Sequence, residues 1–428
     1  MLRGGYGIYY PANTHFLYFG NTAGFATTTT TYSPPGGSAF LTAFQFSNGF
    51  PTAPIQPIGA RLGSSAFLGQ GVAYEQPDEK NPMSQQWNLS LQQQLPGGWL
   101  LDATYTGNHV THLLGGEYDL NQLDPQYLSL GTKLQELVPN PYAGKVPGSL
   151  GGATITRLQS LRPYPYYSAV TVRTPHLGNS IYHALLLSVE KRLNKGFVLL
   201  ASYTKSKLMS DTTRPAIDFG GVEQATIFGY QNGKFDRRAE RSPDPTDVAD
   251  RLVISGVYEL PFGRGKLFDA GGGFVNGLIG GWQINAIATI QSGLPLVVRG
   301  ANNFAADRPN LVGNAKLDNP TARKWFNTDA FVNPPLYTYG TVGRVVPGVL
   351  TPGTINFDLS LIKDTRIRER VKLQFRVEAF NAFNHVNLGL PNGTFTAGAD
   401  GKNANPSFGV ITSARDARIV QFGLKLIY

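Results

Sequence analysis

The feature that most constrains this chain is an apolar/polar alternation of period two, in segments of about ten residues that recur along most of its length. From Trp87 to Leu91 the odd positions are apolar (Trp87, Leu89, Leu91) and the even ones polar (Asn88, Ser90). Side chains of a strand alternate between two faces, so this pattern predicts a strand with one apolar and one polar side. Leu95-Pro96-Gly97-Gly98 then reads as a tight turn, and Trp99, Leu101, Ala103 and Tyr105 return on one face opposite Asp102, Thr104 and Thr106. A hairpin is the expectation.

The unit recurs. Leu193-Asn194-Lys195-Gly196 makes the second turn, and Phe197, Leu199, Ala201 and Tyr203 take the places of Trp99, Leu101, Ala103 and Tyr105. In both copies an aromatic follows the turn and a Tyr lies six positions on. In a tilted strand that separation climbs roughly 15 Å, placing the two rings near opposite edges of an apolar band about 25 Å tall. A water-soluble sandwich would use the same rings to fill a core, and one hairpin could not separate the readings. Alternation returns at Leu252–Tyr258, Trp282–Ile290, Ile355–Leu361, Val371–Ala379 and Val420–Tyr428, and with Arg3–Tyr10 it gives about ten strands. Val371, Leu373, Phe375 and Val377 oppose Lys372, Gln374, Arg376 and Glu378, charges that need water on their side of the strand.

The connections are unequal. Turns near Pro96, Asn194 and Arg366 are short, whereas the segments near 11–83, 109–180, 208–247, 293–353 and 382–417 are long. Short turns at one end and long loops at the other predict an all-β, antiparallel transmembrane β-barrel portion, with both termini on the short-turn side. No run of eighteen apolar residues offers a membrane helix. No domain boundary is visible.

Composition narrows the functions. With no cysteine, disulfides, thiol catalysis and Cys-based metal sites are excluded. The net charge of +9 is scattered, with no dense basic run, so nucleic acid is not the expected partner, and an anionic lipopolysaccharide surface accounts for it better. Asp244, Asp247 and Asp250 lack a calcium-loop spacing, and a strand would point His109 and His112 to opposite faces, so no metal or other cofactor is expected. No Gly-x-Ser-x-Gly, His-Glu-x-x-His or phosphate loop is present, and the glycines at 271–273 read as a flexible connection. Nothing points to an enzyme. The start Met1-Leu2-Arg3-Gly4-Gly5-Tyr6 carries no secretion signal, so an N-terminally truncated fragment is expected.

Several pieces together are similar to one family. Gln85-Gln86-Trp87-Asn88-Leu89-Ser90, Val257-Tyr258-Glu259-Leu260-Pro261-Phe262-Gly263, Gly280-Gly281-Trp282-Gln283-Ile284, the run Phe375–His385 and Gln421–Tyr428 resemble, in order and spacing, the C-terminal barrel half of TonB-dependent outer-membrane receptors of the Oar-like branch, which carries a carboxypeptidase-regulatory-like domain. The resemblance implies a bacterial outer-membrane location and uptake of an extracellular solute through a plug-gated barrel. The chain supplies under half of such a barrel and no plug, so TonB would be reached only through a missing N-terminal region. Lipid-facing girdle residues are then Trp99, Tyr105, Phe197, Tyr203 and Trp282; lumen-facing residues are Lys372, Arg376 and Glu378. Phe422, Leu424, Leu426 and Tyr428 form a terminal signal for the barrel-assembly machinery. Candidate ligand contacts in the loops are Tyr164, Tyr166, Tyr167, Trp325 and Phe326, with Tyr337 and Tyr339 beside them. A stand-alone structural or adhesive barrel and a secreted all-β carbohydrate-binding protein remain as alternatives.

Overall fold

The computed structural model describes residues 1–10, 25, 27, 32–38, 40–61, 63–75, 80–115, 118–173, 175, 176–194, 196–212, 235–269, 273–300, 308–368 and 371–428. Of the turn residues expected from the sequence, Lys195 and the pair Gly271-Gly272 lie outside them. Two compact units are present, one comprising Met1–Pro11, Lys80–Gly116 and His176–Tyr428, the other Ala12–Glu79 and Glu117–Pro175.

The first unit is built on ten strands: β1 (Leu2–Tyr9), β2 (Met83–Leu95), β3 (Trp99–Leu113), β4 (Gly178–Asn194), β5 (Phe197–Ser210), β6 (Asp250–Glu259), β7 (Trp282–Gln291), β8 (Thr354–Arg368), β9 (Val371–Phe380) and β10 (Ile419–Ile427). Each pairs with its sequence neighbour, in the order β1 to β10, and the two-residue strand Ser242–Pro243 adds to the end of β5. All neighbouring pairs are antiparallel. Sequential antiparallel pairing needs no crossover, which is why short turns suffice on one side. Gly97 and Gly98 both take positive φ (78° and 79°), as does Gly196 (79°), the backbone region a tight hairpin turn demands.

Register converts the alternation into two continuous faces. One cross-strand row runs Phe422, Val377, Leu361, Ile284, Tyr258, Phe197. Its neighbour row, one residue along, runs Gln421, Glu378, Ser360, Asn285, Val257. Since a slip of one residue would exchange the faces of a strand, the agreement along β6 to β10 shows that the pairing follows the hydrophobic pattern. Gly107 on β3 serves the apolar face: a Cβ there would meet the Trp87 indole at 2.3 Å, so the missing side chain makes room for the ring.

The apolar face of the sheet is not the core. Leu89, Leu91, Leu185 and Leu187 stand exposed on it, and the buried cluster lies instead in the long connections: Leu296, Val298, Phe326, Phe331, Val342, Val346, Phe395 and Phe408, with others. Leu296 N–H bonds to Val349 O, Val346 N–H to Leu296 O and Phe395 N–H to Arg299 O, so the segments after β7 and β9 pack together as a small folded body. On the opposite side, the connection from β6 to β7 (Leu260–Gly281) is the exception to the short turns.

The second unit is small and mixed. Gly71–Glu75 pairs parallel with Ala169–Arg173, which pairs antiparallel with Tyr118–Asp119, and a short helix α1 (Arg157–Leu161) is capped by the Thr156 hydroxyl. The buried Asn121 side chain donates to the carbonyls of Tyr164 and Tyr167 and accepts from Tyr164 N–H, while Gln159 Nε2 donates to Pro165 and Tyr167. These two amides hold the Pro163–Tyr167 loop in shape.

Candidate functional site

The loop end of β6 to β10 borders an open cavity of about 730 Å³ on the polar face, lined by Arg251, Gln291, Asn356, Asp358, Asn381, Asn387, Arg415 and Asp416, among others. Parity explains most of it. Arg251, Gln291, Thr354, Asn356 and Asp358 share the polar rows of their strands. Arg415, Asp416 and Asn387 come from the connection between β9 and β10.

Asparagines fold that connection over the sheet. Asn381 sits at φ 47° and Asn384 at φ 52°, a left-handed region that asparagine tolerates better than most side chains. Asn381 Nδ2 donates to His385 O and Asp416 O, and its N–H to Asp358 Oδ1 at 2.9 Å. Asn387 completes β8: its Nδ2 donates to Ile355 O and its Oδ1 accepts from Ile355 N–H. Asn356 Nδ2 donates to Asp358 Oδ1. The cavity therefore has a hydrogen-bonded floor, with the exposed guanidinium-bearing Arg251 and Arg415 and the exposed carboxylate-bearing Asp416 on its walls.

A second set of charges is buried beside the same end of the sheet. Arg308 Nη2 meets Glu240 Oε2 at 2.7 Å, with 5% and 2% of the side chains exposed. Arg344 Nη1 donates to Ser210 O, Ser210 Oγ and Glu240 O, and its Nη2 lies 3.8 Å from Asp244 Oδ2. Asp244 also accepts from Ser210 Oγ, Thr246 N–H and Thr246 Oγ1. The three aspartates weighed as a metal site are thus drawn apart in role: Asp247 accepts from Leu208 N–H, and Asp250 binds Lys205 and Tyr203. Among the described residues no group of three or more His, Cys, Asp or Glu is placed to hold a metal ion.

Burial raises the Asp247 carboxyl above the usual carboxylate range; the Leu208 N–H opposes the shift and neighbouring Asp244 adds to it. A raised folded pKa means stability that is complete below the unfolded value near 3.9 and lost as pH climbs through the folded value. Asp247→Asn keeps an oxygen for Leu208 N–H and cannot ionise. Its thermal midpoint relative to the wild type is expected to move in its favour between pH 4 and pH 7; a pH-independent difference would sink the assignment.

The candidates from the sequence fall as follows. Lys372, Arg376 and Glu378 share the polar face, where Lys372 pairs with Asp364, Arg376 Nε donates to Gln374 and Glu378 accepts from Gln421. Trp99, Tyr105, Phe197, Tyr203 and Trp282 share the apolar face by register. Lys191 Nζ lies 5.2 Å from the Trp99 ring and Lys363 Nζ 4.9 Å from Trp282, both at the turn end, whereas Tyr105 bonds His183 and Tyr203 bonds Asp250 farther up. Phe422, Leu424 and Leu426 lie on that same face of β10, and Tyr428 follows its end.

Tyr164, Tyr166 and Tyr167 cluster with Tyr142, their rings 5.0–6.5 Å apart, and Tyr164 is exposed. Phe326 requires a correction. Its ring is fully buried against Phe331 and Phe408, so it packs the loop body and cannot meet a ligand. Tyr337 is buried as well, and Trp325 packs against the cluster with its Nε1 donating to Leu350 O. The cavity residues themselves escaped the sequence reading. Asn356 and Asp358 were visible as polar strand positions, but nothing local to Asn387 or Arg415 signals that their loop returns over β8.

A long sequential sheet with one polar and one apolar face, short turns at one end and folded loops at the other is the architecture of an outer-membrane barrel. The match to known families agrees: residues 1–421 fit the family model of the outer membrane beta barrel domain, and the chain belongs to that family. It is a bacterial outer-membrane protein. No curated protein matches its sequence. Among solved structures it is similar to the outer membrane transporter YddB from Escherichia coli (9% identity, TM-score 0.38, covering 84% of this chain and 34% of that one). It is also similar to the ferric-catecholate import receptor Fiu from E. coli K12 (11%, 0.34, 82% and 28%). A third is the ferripyoverdine receptor of Pseudomonas aeruginosa (11%, 0.32, 80% and 27%). The chain spans about a third of the length of these structures. The family model, rather than these partial superpositions, makes the assignment.

Proposed function

We propose that this chain is the C-terminal part of a receptor barrel for TonB-coupled uptake of an extracellular solute, its apolar face toward outer-membrane lipid and its polar face toward the lumen. One observation carries the partial-barrel reading: among the described residues β1 pairs only with β2 and β10 only with β9, so the sheet has two open edges. Unpaired strand edges are not sustained in a lipid core, where each unsatisfied backbone group costs several kcal/mol. On this reading further strands close the sheet, and the stand-alone ten-strand barrel is the less favoured alternative.

The cavity between the polar strand rows and the Asn381–Ala417 connection supports capture at the loop end. Arg251 and Arg415, with Asp358 and Asp416 also in the lining, suit a polar solute carrying anionic or hydroxyl oxygens. Plug and TonB-contacting segments belong, on this reading, to residues upstream of Met1.

The test is the genomic DNA upstream of the Met1 codon. An in-frame plug followed by further alternating strands is expected. A promoter and stop codons immediately upstream would sink the receptor reading.

A further inference from the structure

The β6–β7 connection differs from the other turns at its end of the sheet. It carries a short helix, α2 (Gly273–Ile279), none of whose residues is buried. Phe274 is 85% exposed, Leu278 62% and Val275 48%, and the strap before the helix adds Leu267 and Phe268. Positions 274, 275 and 278 share one helical face. Seven residues with two internal or terminal glycines do not sustain a helix in water by themselves.

What holds α2 is the apolar side of the sheet. Lys363 Nζ, directly across from Trp282 in the register, donates to the carbonyls of Gly277, Leu278 and Gly280 at 2.8–2.9 Å. Trp282 Nε1 donates to Leu278 O at 3.0 Å. The cation thus satisfies the carbonyls that a helix C-terminus leaves open, and it also lies over the Trp282 ring. Gly281, at φ 73°, turns the chain from helix into β7 against Asp364 O, where a Cβ would come within 2.2 Å. Asn276 Nδ2 donates to Asp269 Oδ1, so the helix face opposite the exposed apolar residues is tied to its own strap. The device is specific: a helix fastened at its C-terminal end to the girdle level of the outward face, with its apolar residues left uncovered.

We propose that α2 lies in the plane of the membrane interface, with Phe274, Val275 and Leu278 immersed among the phospholipid acyl chains of the leaflet at the turn end. The inference rests on the reading of the apolar face as lipid-facing, and that surface runs without a break from Ile284 and Leu361 through Trp282 to the helix. A tryptophan and a lysine at this level are the side chains that anchor a segment at a lipid–water boundary. Arg264 and Lys266, on the strap before the helix, line a recess of about 610 Å³ beside it together with Asp269 and Asp364.

Because the chain has no cysteine, single nitroxide labels report position directly. The closed barrel proposed above, this chain joined to its upstream strands with any cysteine there replaced, would carry Phe274→Cys, and in parallel Leu185→Cys on the apolar face of β4 and Leu336→Cys in an exposed loop-end segment. Each would be labelled, reconstituted into phosphatidylethanolamine/phosphatidylglycerol vesicles and measured for collision with oxygen against a water-soluble nickel chelate. The expected result is an oxygen-to-nickel ratio at position 274 close to that at 185 and well above that at 336. A nickel-accessible label at 274 beside a lipid-embedded label at 185 overturns the inference while leaving the lipid-facing sheet intact. A nickel-accessible label at 185 overturns both. Phe274 contributes nothing to a buried core, so its replacement leaves the fold able to form.

Discussion

Arg344→Met is expected to open the loop end of the first unit, at a cost of about 3–5 kcal/mol to the folding of that region. Arg344 is the largest of the fully buried side chains among the described residues, and its guanidinium joins three chain segments: Ser210 at the end of β5, Glu240 and Asp244 in the next connection, and its own loop after β7. A methionine of similar volume fills the space but leaves the Ser210 and Glu240 carbonyls without this donor and Asp244 without its cation. Buried polar groups stripped of a partner keep their full desolvation cost. The contrast with a paired replacement makes the prediction sharp. Removing both Glu240 and Arg308, as Glu240→Leu with Arg308→Met, deletes a buried ion pair together with its desolvation cost, and such exchanges are often close to neutral. Hydrogen exchange at Ser210 and Asp211 and protease cleavage within 235–250 read the two variants. Equal protection in Arg344→Met and wild type would show that the network is incidental.

That network illustrates where the sequence was informative and where it was silent. Period-two alternation is a local signal, so the faces of β2, β3, β5, β7, β8 and β9 could be assigned from residues a few positions apart, and the register then placed Lys372, Arg376 and Glu378 together on one side. The strand limits were less legible: β1 shifts by one residue, but β3 runs on to Leu113, β5 to Ser210 and β8 to Arg368, well past the alternating segments. Loop packing has no such period. Leu294-Pro295-Leu296-Val297-Val298 is an apolar run that reads equally well as a strand or an exposed loop, and its burial depends on partners near Val346 and Phe395. For the same reason Phe326 looked like a ligand contact, since an aromatic in a loop carries no mark of the ring that will cover it. Arg308, Glu240 and Arg344 are ordinary charges until three distant segments meet. The helix at Gly273–Ile279 was hidden by composition, because a run so rich in glycine suggests a flexible connection and the stabilising donor, Lys363, comes from another strand.

Phe422→Lys is expected to cost the inserted sheet about 2–4 kcal/mol, and Gln421→Lys close to nothing, although the two positions are adjacent. Phe422 stands on the apolar face beside Val377, exposed over 72% of its surface, in a row that continues through Leu361, Ile284 and Tyr258. A lysine there places an ammonium against acyl chains, and its stem can carry the charge only part of the way to the interface. Gln421 stands on the polar face, where its amide donates to Glu378 Oε2 at 2.5 Å. A lysine at that position exchanges a hydrogen bond for an ion pair in water, an effect within about 0.5 kcal/mol for an exposed site. Urea titrations of both variants, each made in the closed barrel proposed above and folded in phospholipid vesicles, measure the difference through its heat-modifiable migration. Because β10 is also an edge strand among the described residues, the same pair tests its proposed part in assembly: recognition of the Phe422, Leu424, Leu426 and Tyr428 row predicts that Phe422→Lys slows the appearance of folded protein in cells as well as weakening it in vesicles. A sheet that tolerates lysine equally at 421 and 422 would have water on both sides of β10, and the lipid-facing reading of the Phe422 row would fall.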